Sequence, residues 1–199
     1  MRLLGASCVI AFALALPARG DATFQLTQPV INTLTPIDSL PSSQQINTAF
    51  NNSPTEALAN LQQIANPTSF VDRGVQIRAV RALIHYCATT PCGLSDPAHV
   101  ALTNVAGRYR DARSGSDLLV LRAAIESLGL LQVPGDWSLL TDQLQHPSRD
   151  IRAAAARALR DLGNTRAIVP LRARYNIEGT EQVKIAISDA LRVLGQPVP

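Results

Sequence analysis

One short pattern recurs along the chain and limits the folds available to it. Four segments share an alanine followed by an aliphatic residue, and the last three then reach Leu-Gly. They are residues 75–87, 121–129, 151–163 and 183–195. Their last residues, Cys87, Gly129, Gly163 and Gly195, lie 42, 34 and 32 residues apart. Such intervals are typical of stacked helical repeats, because each repeat needs room for two short helices.

The third segment shows helical periodicity most clearly. Its apolar residues fall on one side of a helical wheel, and its arginines fall on the other. The apolar set is Ile151, Ala154, Ala155, Ala158, Leu159 and Leu162. Ser148 is suited to cap the start of this helix, and Gly163 is suited to end it in the left-handed conformation. We predict an amphipathic helix with one buried face.

A second helical segment precedes each of the four, and no alternating β-branched run favours strands. These segments are residues 54–65, 97–112, 136–146 and 166–175. Aromatic residues make up 4% of the chain, and alanine and leucine are abundant, which suits closely packed helices. The sequence therefore predicts an all-α fold, a right-handed α-solenoid of about four helix pairs preceded by an extended N-terminal segment.

The repeats resemble HEAT repeats, particularly the alanine-rich form also found in phycobilisome-lyase-type proteins. Asp150-Ile151-Arg152 carries the resemblance best, and Gln182-Val183-Lys184 carries it more weakly. The resemblance covers residues 54–196 and implies that the second helix of each pair lines a concave, partner-binding surface. It also implies an alternative function, that of a lyase or cofactor chaperone.

Residues 1–20 have the order of a secretory signal peptide. Arg2 precedes an apolar or small run over residues 3–16, which is too short to span a bilayer. Pro17 breaks the run, and small residues follow at a cleavage site after Gly20 or Ala22. We expect a mature protein without a membrane span, located outside the cytoplasm in the periplasm or secreted.

Residues 21–53 differ from the repeats because they are rich in Thr, Gln, Asn, Ser and Pro and lack a sustained period. We interpret them as an extended lead-in. A capping helix is expected from near Ser42 to Phe50, where it would cover the open apolar end of the first repeat. The HEAT-like repeat domain then occupies residues 54–196.

The charge balance disfavours nucleic acid as a partner. The chain carries 18 basic and 15 acidic residues. Removing residues 1–20 takes away two arginines and leaves 16 basic against 15 acidic residues, close to neutrality. A mature protein with so small a net charge lacks the strongly basic character expected of a nucleic-acid binder.

Motifs for catalysis are absent from the sequence. There is no Gly-rich phosphate loop, H-E-x-x-H, G-x-S-x-G or C-x-x-C. We expect a non-enzymatic protein without a cofactor or a metal. His146 is interpreted as a cation at a helix end. Trp137 is interpreted as an anchoring aromatic residue, with an exposed ligand contact as the alternative.

The stretch HYCATTPCGLSDPAH, residues 85–99, places two cysteines between two histidines. In an oxidising compartment, Cys87 and Cys92 are expected to form a disulfide. A zinc site that also uses His85 and His99 remains an alternative, as do free or redox-active thiols. Asp96-Pro97 is expected to open the next helix with a cap and a first-turn proline.

Basic residues on the last two repeats are the candidate partner-binding site. They are Arg152, Arg157, Arg160, Lys184 and Arg192. The first hypothesis is an exported scaffold whose concave face binds an acidic protein segment through these residues. The alternative is a solvated face with local pairs, such as Arg157 with Asp161. The family resemblance also implies that Arg152 pairs with Asp150 or with an acid of the neighbouring repeat.

Overall fold

The computed structural model of the protein describes residues 26–35 and 39–197. Within these ranges the chain forms ten α-helices and no strand. The helices are α1 (Gln28–Leu34), α2 (Ser43–Ala49), α3 (Pro54–Ala65), α4 (Arg73–Ala82), α5 (Pro97–Tyr109), α6 (Gly115–Leu131), α7 (Trp137–Asp142), α8 (Arg149–Leu162), α9 (Ile168–Ile177) and α10 (Glu181–Val193). None of the described helices has the length and apolarity needed to cross a membrane.

The helices pack as four consecutive pairs. Helix α3 packs on α4, α5 on α6, α7 on α8 and α9 on α10. The second helices also form a continuous layer, in which α6 lies between α4 and α8, and α8 lies between α6 and α10. This arrangement confirms the predicted all-α solenoid of helix pairs.

Local sequence signals fix most helix ends. Asp96 accepts a hydrogen bond from the Ala98 amide at 2.9 Å, and Pro97 occupies the first turn of α5, as predicted. Gly163 ends α8 with a φ of 69°. Ser148 occupies the N-cap position of α8, but its side chain makes no capping hydrogen bond, so that detail of the prediction was wrong.

The core consists of small aliphatic side chains between the layers. Ala153 to Ala156 and Ala158 of α8 are all buried, because α8 is covered by α6 on one side and α10 on the other. Alanine leaves room for close helix approach, whereas larger residues would hold the helices apart. The alanine-rich sequence of this segment therefore matches its central place in the stack.

The lead-in contains more helix than its composition suggests. Helix α2 occupies the stretch where a capping helix was expected, and Ser42 and Gln45 form a reciprocal capping box at its start. Helix α1 lies within residues 21–53 and was not anticipated. It buries Val30 and Leu34, which gives a short polar segment an apolar anchor. The predicted signal peptide, residues 1–20, lies outside the described residues.

Candidate functional site

The five basic residues predicted to form one patch have different environments, and Arg152 is the clearest departure. It is 9% exposed. Its guanidinium donates to both carboxylate oxygens of Glu178, at 2.8 and 2.9 Å, and to the carbonyls of His146 and Pro147. A side chain so buried and so fully bonded is not available to a partner, so its assignment to the binding surface was wrong.

Glu178 is the acid of the neighbouring repeat that the alternative interpretation of Arg152 required. It lies between α9 and α10 and is buried. It also accepts from Arg174 at 2.9 Å and from the Thr180 amide at 2.9 Å. The hydrogen bonds from Arg152 lower the pKa of Glu178 to about 2. This cluster ties the last two repeats together.

Arg160 and Arg192 converge on one carboxylate, that of Asp189. Arg160 donates to Asp189 at 2.7 Å and also to Asp161 at 2.8 Å. Arg192 pairs with the second oxygen of Asp189. The hydrogen bond from Arg160 lowers the pKa of Asp189 and raises that of Arg160 itself. These residues form a mixed-charge cluster, and Asp161 pairs with Arg160 instead of Arg157.

Arg157 keeps its charge unpaired among the described residues. It is half-buried, and no described residue forms a hydrogen bond or ion pair with it. It lines a groove between α8 and α10 whose walls are Arg157, Arg160, Gln182, Ile185, Ala186 and Asp189. Ile185 is 61% exposed in this groove. The site thus combines a cation with an apolar surface.

Lys184 does not line this groove. Its ammonium lies 5.4 Å from the centre of the Tyr175 ring, in cation–π contact. Lys184 has no carboxylate partner among the described residues. The structure therefore separates it from Arg157, and only Arg157 brings an unpaired charge to the groove.

The residues of the HYCATTPCGLSDPAH stretch do not assemble the four-ligand zinc site considered above. The sulfur atoms of Cys87 and Cys92 lie at disulfide distance, 2.14 Å apart. Asp96 brings a carboxylate oxygen near them, but its two oxygens already accept from the amides of Ala88 and Ala98. Two bonded sulfurs and an engaged carboxylate do not offer a coordination site.

His99 instead forms a buried pair that the sequence did not suggest. Its Nε2 lies 2.9 Å from Oδ1 of Asp136, and its Nδ1 lies 2.9 Å from the carbonyl oxygen of Leu94. Burial raises the pKa of Asp136, while the hydrogen bond with His99 lowers it. The two residues are 37 positions apart, and no motif links them. Their contact holds the loop of residues 87–96, which contains both cysteines and which we call the cysteine loop, against the start of α7.

His146 and Trp137 both have structural surroundings. His146 is buried, and its Nδ1 accepts from the Ser148 amide. Burial and the charge of Arg113 lower the pKa of His146, so the predicted cation at a helix end was wrong. Trp137 packs against the core, and the Arg166 guanidinium lies 5.8 Å from its ring, which agrees with the anchoring interpretation.

Stacked helix pairs with a layer of second helices define an α-solenoid. The family model for HEAT repeats matches residues 110–192, a range that covers α6 to α9 and all but the last residue of α10, so this part of the chain is similar to HEAT repeats. The match confirms the resemblance at the level of HEAT-like repeats and does not extend to the phycobilisome-lyase form. A comparison with curated proteins gave no match. HEAT repeats generally mediate protein–protein interactions.

Proposed function

We propose that this protein is a non-enzymatic HEAT-like scaffold that binds an acidic protein segment in the groove between α8 and α10. The observation that carries the proposal is the unpaired charge of Arg157 beside the exposed side chain of Ile185. A carboxylate placed on Arg157 would gain a charge-assisted hydrogen bond. An apolar residue nearby would cover Ile185 and remove its surface from water.

The proposed partner segment is short and amphipathic, with an aspartate or glutamate next to a leucine or isoleucine. Neighbouring charges of the groove support this choice, because Arg160 and Arg192 are balanced by Asp161 and Asp189, with which they pair. The groove therefore presents one excess positive charge, that of Arg157. Charge complementarity of this kind contributes mainly to specificity and to the association rate.

Binding of synthetic acidic peptides that contain leucine, followed by fluorescence anisotropy, tests the proposal. We expect Arg157→Glu to weaken binding at least about tenfold, because it replaces an attraction with a repulsion. Arg110→Glu is the control, since Arg110 is an exposed arginine of the α5–α6 loop, outside the groove. Equal affinities of Arg157→Glu and the wild type, or no binding by acidic peptides, would reject the proposal.

Export of the chain is a separate part of the proposal. It is supported by the order of residues 1–20 and by the disulfide distance between Cys87 and Cys92, because disulfides persist in oxidising compartments. N-terminal sequencing of the protein from the extracytoplasmic fraction should give a chain that starts at Asp21 or Thr23. A protein that keeps Met1 and stays in the cytoplasm would refute export and leave the groove proposal unaffected.

A further inference from the structure

The two bonded cysteines line a surface pocket. The pocket has a volume of about 290 Å³, and its lining includes Cys87, Cys92, His85 and the apolar side chains of Ile84 and Leu130. His85 is exposed, and Leu130 is 54% exposed. The pocket is therefore open to solvent, and a molecule that enters it reaches the sulfur bond.

The two cysteines differ in access from this pocket. Cys87 is partly exposed, whereas Cys92 is 5% exposed, and its amide donates to the Leu131 carbonyl of α6. Exchange between a thiol and a disulfide depends on which sulfur atom the incoming thiolate can reach. A thiol in the pocket therefore attacks Cys87, and Cys92 is the leaving group.

We infer that the bond between Cys87 and Cys92 captures a cysteine of a partner protein by thiol–disulfide exchange. The partner's thiol gives its proton to His85, which lines the same pocket, and its sulfur bonds to Sγ of Cys87. The bond between Cys87 and Cys92 breaks, and Sγ of Cys92 leaves with the electron pair and takes up a proton. The step needs no external oxidant, and attack by Cys92 on the mixed disulfide releases the partner again.

Asp96 and the apolar walls select the thiol that reacts. A carboxylate oxygen of Asp96 lies within 4.8 Å of both sulfur atoms, and a negative charge at that distance disfavours the release of Cys92 as a thiolate. A thiol that only collides with the loop therefore reacts slowly. A leucine next to the partner's cysteine would cover Leu130 and hold the thiol in the pocket, because apolar surface leaves water.

Reaction with a short uncharged peptide that carries one cysteine next to a leucine tests the inference on the chain lacking residues 1–20. After alkylation of free thiols, peptide mapping by mass spectrometry locates the mixed disulfide. In native protein we expect it at Cys87 in at least about tenfold excess over Cys92. In denaturant this preference should disappear, because both sulfur atoms are then accessible.

A second peptide, with serine in place of the leucine, should react more slowly with the native chain. Leu130→Ser should remove this difference between the peptides. The matched control is Leu119→Ser, at another exposed leucine of α6, which is 51% exposed and lies outside the pocket, and it should keep the difference. Circular dichroism shows whether both variants remain folded.

Three results would overturn the inference. They are native protein that does not react when the unfolded chain does, equal labelling of Cys87 and Cys92 in native protein, and equal rates for the leucine and serine peptides. Arg157→Glu should leave the exchange unchanged, since Arg157 does not line this pocket. Failure of the exchange is therefore distinguishable from failure of the proposed groove between α8 and α10.

Discussion

Gly129 of α6 lies directly against Ala158 of α8. A Cβ atom added at Gly129 would come within 2.6 Å of the Ala158 Cα atom and 2.8 Å of its Cβ and carbonyl oxygen. The obstacle is backbone, which cannot move aside as a flexible side chain can. Glycine at this position therefore permits a close contact between the second and third repeats, and it does not end α6, which continues to Leu131.

Gly129→Ala is expected to destabilise the protein. The added methyl group has to push α6 away from α8, and overpacking of a core costs about 1–3 kcal/mol. Chemical denaturation followed by circular dichroism measures the change in the free energy of unfolding. Gly107→Ala is the control, because nothing lies within 4 Å of a Cβ at Gly107. That substitution should stabilise α5 by up to about 1 kcal/mol. If Gly129→Ala and Gly107→Ala changed the free energy of unfolding equally, the interpretation of a close contact at Gly129 would be contradicted.

The pair formed by Arg152 and Glu178 predicts a loss of stability in acid. Because the pKa of Glu178 falls from 4.5 to about 2 on folding, its contribution is fully present above pH 4.5. It is lost as the pH falls from 4.5 towards about 2, where the folded protein also binds the proton. Unfolding free energies at pH 7, 5 and 3 should show this decline.

Glu178→Gln isolates that contribution. At pH 7 it should cost on the order of 3 kcal/mol, since Arg152 stays buried without a counter-charge. The difference in unfolding free energy between the variant and the wild type should become smaller in acid. The control Glu181→Gln removes an exposed carboxylate of α10 and should change stability little. If the difference in unfolding free energy between Glu178→Gln and the wild type did not change with pH, a stabilising role of the ionised Glu178 carboxylate would be ruled out.

Local patterns were sufficient to predict the helix pairs, whereas for the charges the sequence offered alternatives without choosing between them or naming the partner of Arg152. The helical period around Ala158 and the left-handed stop at Gly163 depend on neighbouring residues, and both agree with the structure. The burial of Arg152 depends on Glu178, 26 residues away, and on how α9 turns into α10. Sequence spacing holds no information on that turn.

The two contacts of the cysteine stretch illustrate the same limit. The pairing of Cys87 and Cys92 spans a separation of 5 residues, so the sequence alone brought it into consideration. The contact between His99 and Asp136 joins different repeats, and nothing at either position marks it. Helix α1 was missed for another reason, because it is only seven residues long, and its buried residues Val30 and Leu34 are too few to establish a helical period.

A disulfide between Cys87 and Cys92 should stabilise the native loop. Intact mass of the chain lacking residues 1–20 is expected to be lower by two hydrogens than after reduction, with no thiol free to alkylate. Replacing both cysteines by alanine should cost about 2 kcal/mol, since the closed loop is small. Alkylation of both cysteines in unreduced native protein would disprove the bond.

Asp136→Ala is expected to weaken the contact between the cysteine loop and the third repeat. His99 is buried, and without the carboxylate its Nε2 would lose its hydrogen-bond partner, which costs about 1–3 kcal/mol. Asp136→Asn should cost less, because an amide oxygen or nitrogen can still bond to the imidazole. Asp142→Ala, at an exposed position of the same helix region, is the control and should stay within about 0.5 kcal/mol of the wild type.

Hydrogen exchange at the Cys92 amide, which donates to the Leu131 carbonyl at 3.1 Å, gives a local readout. It should accelerate in Asp136→Ala and not in Asp142→Ala, and unchanged exchange in both would mean that the buried pair does not hold the loop.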